Sequence, residues 1–70
     1  MQMIPVRSRV IVAIGYNPLS QELHIQFRQW RVYVYLGVPE NVYTALMTAP
    51  SKGRYYNRVI RGRYRAVRVS

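Results

Sequence analysis

Leu23-His24-Ile25-Gln26-Phe27-Arg28, a short turn, then Arg31-Val32-Tyr33-Val34-Tyr35-Leu36: the reading of residues 23–36 decides the fold. Leu23, Ile25 and Phe27 alternate with His24, Gln26 and Arg28, which is the period-two pattern of a half-buried strand. Val32, Val34 and Leu36 alternate with Arg31, Tyr33 and Tyr35 in the same way, so a turn near Arg28 and Gln29 joins two strands. Upstream, Val10 to Tyr16 reads as another strand, and Asn17-Pro18-Leu19-Ser20 is turn chemistry leading into Leu23. Three consecutive strands at this spacing predict an antiparallel meander.

Downstream the period changes. Pro39 suits the first turn of a helix, and Glu40 suits the positive end of its dipole. Val42, Ala45, Leu46 and Ala49 recur at helical spacing until Pro50 stops the run, and Tyr43 and Met47 stand one turn apart as a packing pair. Ser51 is an N-cap for a second helix. In that helix Tyr56, Val59 and Ile60 form an apolar face, Arg54, Arg58 and Arg61 form a separate stripe, and Gly62 is the C-cap. Arg63 to Val69 has no clean period, which leaves a strand, an ordered tail and a loose arm open. The expectation is one α+β domain over residues 1–70. It is a three-stranded antiparallel meander followed by two short helices packed on it, with a short C-terminal strand or arm. Residues 1–9 and 66–70 are expected to be loosely held.

The totals bound the chemistry. A chain of 70 residues buries only about 60% of the surface its unfolded form exposes. It has no cysteine and one histidine, His24, and its acids are Glu22 and Glu40. Disulfides and thiolate metal sites are therefore excluded, and no cofactor is expected. His24 shares a strand face with Glu22, but one histidine without aspartate or cysteine makes a poor catalytic set, and the chain reads as a non-enzyme. A hydrophobic content of 50% is too high for intrinsic disorder. Val10 to Ile14, the longest aliphatic run, is far too short to span a membrane. Arg7 and Arg9 before that run imitate a secretory signal only faintly, since no small-residue cleavage site follows; a cytoplasmic protein is expected.

Charge is the most informative total: eleven Lys and Arg against two Glu give +9. Residues 1–50 hold Arg7, Arg9, Arg28 and Arg31 together with both glutamates. Residues 51–70 hold Lys52, Arg54, Arg58, Arg61, Arg63, Arg65 and Arg68 with no acid. The dominance of arginine favours forked contacts with phosphate, carboxylate or base edges, and such a density predicts a polyanionic partner.

Ile14-Gly15-Tyr16, Tyr33-Val34-Tyr35, Val38-Pro39, Ala49-Pro50-Ser51-Lys52-Gly53, Asn57, Ile60 and Arg63-Tyr64 stand in order along the chain. This ordered set, over residues 8–65, resembles the KTSC domain, a family named for the C-terminal region of some lysyl-tRNA synthetases. The resemblance implies a domain that also occurs as stand-alone small bacterial and phage proteins. RNA binding has been suggested for it from the synthetase context. The family commonly carries glycine in the turn before Tyr-x-Tyr, where this sequence has Trp30.

Arginines and tyrosines interleave at Arg54-Tyr55-Tyr56-Asn57-Arg58, Arg61 and Arg63-Tyr64-Arg65. Arginine neutralises phosphates and aromatic rings stack on bases, each stack worth about 1–3 kcal/mol; the plainer alternative is a solvated helix face with tyrosines packed on the sheet. Tyr33 and Tyr35, beside Arg31 and Trp30, either offer a stacking face or pack under the helices with hydroxyls at the rim. Ser51-Lys52-Gly53 either holds a phosphate or simply starts the helix. The leading expectation is a small basic module for RNA or single-stranded nucleic acid. Lys52, Arg54, Arg58, Arg61, Arg63, Arg65 and Arg31 would meet phosphates on one accessible surface, and Tyr33, Tyr35 and Trp30 would stack. The alternative is a protein-interaction factor docking on an acidic face of a larger nucleic-acid machine such as RNA polymerase, in the manner of a phage host modulator. No membrane partner is expected, and the chain is read as a monomer or weak dimer.

Overall fold

The computed structural model describes residues 2–70. In chain order the elements are β1 (Ile4–Pro5), β2 (Ile11–Asn17), β3 (Glu22–Phe27), β4 (Val32–Tyr35), α1 (Glu40–Thr48), α2 (Lys52–Tyr55) and β5 (Ala66–Arg68). Helix α2 runs on as a π-helical turn over Tyr56–Ile60. The strands form one antiparallel sheet in the order β1-β2-β3-β4-β5. The sheet therefore has two strands more than the three-stranded meander expected from sequence. The additions are short edge strands drawn from the segments expected to be loose: Ile4 and Pro5 pair with Ile14 and Ala13, and Ala66 and Val67 pair with Tyr35 and Val34.

Local chemistry explains both hairpins. In the β2–β3 turn, Asn17 Oδ1 accepts from the backbone N–H groups of Leu19 (3.0 Å) and Ser20 (3.4 Å), an Asx turn. In the β3–β4 turn, the N–H of Trp30 donates to Phe27 O (2.9 Å) and the N–H of Phe27 donates to Arg31 O (2.8 Å). This is the three-residue hairpin loop Arg28-Gln29-Trp30, whose last residue must be left-handed. Trp30 duly has φ +63°. Glycine adopts that conformation freely, whereas an L side chain gives up about 1–2 kcal/mol there.

Register decides which face is buried. Leu23 pairs with Tyr35 and Ile25 with Tyr33, while Ile14 pairs with Ile25 and Tyr16 with Leu23. These side chains share the face that carries the helices, and Ile14, Leu23, Ile25 and Tyr35 join Val38, Leu46 and Ile60 in the buried core. A bulge in β2 between Ile11 and Ala13 shifts the phase of the strand. Ile11 and Ile14 consequently both reach the core despite their odd spacing.

The helices meet the sequence expectation closely. Leu46 is buried, and Val42, Tyr43 and Met47 pack beside it; the Tyr43 ring stacks on Tyr16 at 4.7 Å. The Tyr16 hydroxyl donates to Val38 O. Burial, and after it the Glu40 carboxylate, raises the Tyr16 phenol above its ordinary pKa. Ser51 Oγ caps α2 by accepting from the Arg54 N–H. The π turn closes with the Arg61 N–H donating to Tyr56 O, five residues back, and Gly62 then reverses the chain at φ +75°. Because of the wider turn Arg61 already has extended backbone (ψ 125°), so the expected helical stripe Arg54–Arg58–Arg61 ends at Arg58.

Candidate nucleic-acid interface

The segment between β1 and β2 folds against α2. Ser8 Oγ accepts from the N–H groups of Val10 and Ile11 (3.2 Å each), and Arg28 Nη2 donates to Ser8 O at 2.8 Å. Gly53 allows the close approach: a Cβ there would stand 2.9 Å from Val10 Cγ2. Between this segment and α2 lies an open cleft of about 840 Å³, lined by Arg7, Arg9, Arg28, Lys52 and Arg54 and by no glutamate. A second hollow of about 360 Å³ shares Arg9, Val10 and Arg28 with it and adds Gln29, Arg31 and Tyr33. The two hollows adjoin at these shared residues and together make up a cationic groove. Among the described residues no ion pair joins an arginine or lysine to either glutamate, so the groove's charge is not neutralised from within. Lining the same cleft, these cations favour a bound anion.

The groove draws on the expected residues only in part. Lys52, Arg54, Arg31 and Tyr33 border it, whereas Arg7, Arg9 and Arg28, not singled out from sequence, supply the rest. Arg58 lines a third hollow of about 430 Å³, which adjoins the first at Pro50, Ser51 and Arg54. Arg61, Arg63 and Arg65 are exposed in the chain between the π turn and β5 and border neither part of the groove. Of the basic residues of the last third, Lys52, Arg54 and Arg58 therefore line adjoining hollows, whereas Arg61, Arg63 and Arg65 line none of the three. Lys52 Nζ donates to Ala49 O (3.1 Å) and Ser51 is occupied as a cap, so Ser51-Lys52-Gly53 serves as a helix start and as the seat for residues 8–10.

The aromatic residues separate as well. Tyr35 is buried, at 4% exposure, and its hydroxyl is hydrogen-bonded to that of Tyr56. It is part of the core and presents no stacking face. Burial, then the Tyr56 hydroxyl, pushes the Tyr35 phenol well above the usual tyrosine range, with Arg61 working in the opposite direction. Tyr33 is half-buried, edge-to-face with Phe27 at 6.0 Å, and lines the second hollow. Tyr55, Tyr56 and Tyr64 also pack against the core. Trp30 is the exception, 74% exposed at the hairpin tip between Gln29 and Arg31. On the sheet face away from the helices, His24 Nε2 lies 3.7 Å from Glu22 Oε1, and neither residue lines the groove.

Fold and site together define a small two-layer α+β domain, helices on one face of a five-stranded sheet, with a cationic groove where the N-terminal segment meets α2. The chain belongs to the KTSC domain family, which matches residues 7–64. The crystal structure of a KTSC domain protein from Yersinia pestis is similar at 43% identity with a TM-score of 0.96, over 99% of this chain and 97% of that one. A protein from Tsukamurella paurometabola is 42% identical over 65 residues, 93% of this chain and 97% of the relative. A lysine–tRNA ligase from Nostoc sp. is 37% identical over 60 residues; these are 86% of this chain but only 11% of the ligase. Among the described residues no helix is long and apolar enough to cross a membrane.

Proposed function

We propose that this domain is a binding module for nucleic acid, RNA or another single strand ahead of duplex DNA, rather than a catalyst. The observation that carries the reading is the groove. Arg7, Arg9, Arg28, Arg31, Lys52 and Arg54, far apart in sequence, line two adjoining open hollows that no carboxylate side chain borders. Five of these are arginines, whose planar forks suit phosphate oxygens. The similar segment in a ligase named for tRNA supports RNA as the partner class.

The reading is tested by the salt dependence of binding to a single-stranded RNA. Each phosphate neutralised contributes about −0.7 to the slope of log K against log salt, so about five contacts give a slope near −3.5. A flat salt response would remove the hypothesis. A specific acidic protein that stays bound after nuclease treatment, with no affinity for RNA, would reassign the groove to protein docking.

A further inference from the structure

We propose that Trp30 is a base-stacking residue that makes the groove select unpaired nucleobases over other polyanions; the inference rests on the nucleic-acid reading above. Two observations on this residue point the same way. Its backbone is left-handed, φ +63°, at the loop position where glycine would sit without strain. Its ring is 74% exposed and takes no part in the core. The fold therefore gains little from the side chain and is strained by it. Strain of that kind persists where a residue has a task outside the fold.

The surroundings indicate what covers the ring. Its chain neighbours Gln29 and Arg31, and Arg28 before them, border the second hollow of the groove. A flat apolar ring beside guanidinium groups matches a nucleotide, whose base stacks while its phosphate meets arginine. In a duplex the base faces are already stacked on one another, so only unpaired bases gain from Trp30. A polyanion without bases gains nothing from it.

The experiment uses the full chain and its single tryptophan as the reporter. The probes are a non-self-complementary RNA of about 12 nucleotides, its perfect duplex, and inorganic polyphosphate of the same charge. The single strand should quench Trp30 fluorescence, and the duplex and polyphosphate should leave it nearly unchanged. Trp30→Gly should weaken single-strand binding by about 5- to 150-fold, leave polyphosphate binding unchanged, and melt no lower than the parent. Trp30→Phe, which keeps a ring, should retain most of the affinity. Equal single-strand binding by Trp30→Gly, or equal quenching by polyphosphate, would overturn the stacking role while leaving nucleic-acid binding intact. Failure of the unmodified chain to bind either RNA would overturn both.

Discussion

Gly53 of α2 backs onto Val10 at the entrance to β2, with room for no side chain between them: a Cβ at position 53 would lie 2.9 Å from Val10 Cγ2. This approach brings Arg7 and Arg9 to the same cleft as Lys52 and Arg54. Two effects oppose each other in Gly53→Ala. Alanine gains about 0.8–1.0 kcal/mol of helix propensity, and overpacking costs about 1–3 kcal/mol. Val10 is stiff about χ1, so the segment itself must move and the clash should win. The expected outcome is a net loss of about 1 kcal/mol, a Tm lower by about 4–8 °C, and shifted amide resonances at Ser8–Val10. A raised Tm with those resonances unmoved would show that the contact does not hold the cleft.

Removing one hydroxyl from the Tyr35–Tyr56 pair leaves the other without its partner under the helix. Tyr35→Phe should cost about 1–3 kcal/mol for that reason. The double change to phenylalanine should cost less than the sum of the singles, as urea unfolding in a double-mutant cycle would reveal.

The same pair sets an alkaline limit on stability. In the unfolded chain Tyr35 ionises near pH 10, while in the folded chain burial and Tyr56 hold its proton to higher pH. The stabilisation is present in full below about pH 10 and is lost as pH rises above it, because only the unfolded state releases the proton there. Tyr16, raised in the same direction, adds to the slope. Urea midpoints between about pH 8 and 11 should fall at the alkaline end, and Tyr35→Phe should flatten that fall.

Location in the fold, rather than position in the sequence, should decide which arginines matter for binding. Arg9→Ala with Arg54→Ala removes two groove cations and should reduce the salt slope by about 1.4, or about 0.7 per phosphate contact. Arg63→Ala with Arg65→Ala leaves the groove unaltered and should change the slope little. The reverse ranking, read from titrations at several salt concentrations, would move the interface to the segment before β5.

Much of this architecture is legible in the residues. Alternation in Leu23–Phe27 gives a central strand, Pro39, Glu40 and Pro50 bracket α1, and Ser51 marks the start of α2. Alternation alone does not choose a face where both phases are apolar. Val32 and Val34 compete with Tyr33 and Tyr35, and the choice follows from pairing with Leu23 and Ile25. Strand β1 escapes detection, and β5 stays one of several open readings, because two or three exposed residues carry no period. The π turn has no compositional mark, so the arginine spacing looks like a stripe where the backbone has already left the helix. The groove joins positions 7, 9, 28, 31, 52 and 54, a set that only tertiary contact assembles. The hairpin tip was readable in part, since a tryptophan where glycine is common marks an unusual turn.

The sequential order of the sheet also governs how the chain assembles. From β1 to β4 each strand pairs with its predecessor across a short connection, so these ladders close quickly and at small entropic cost. Strand β5 pairs with β4 only across the segment that holds both helices, so its ladder carries a larger closure cost, and it forms one outer edge with its side chains exposed. Opening should run in the opposite direction. Amide hydrogens of Ala66–Arg68 should exchange with solvent long before those of β3, through a detachment that leaves the β2–β3–β4 ladder intact.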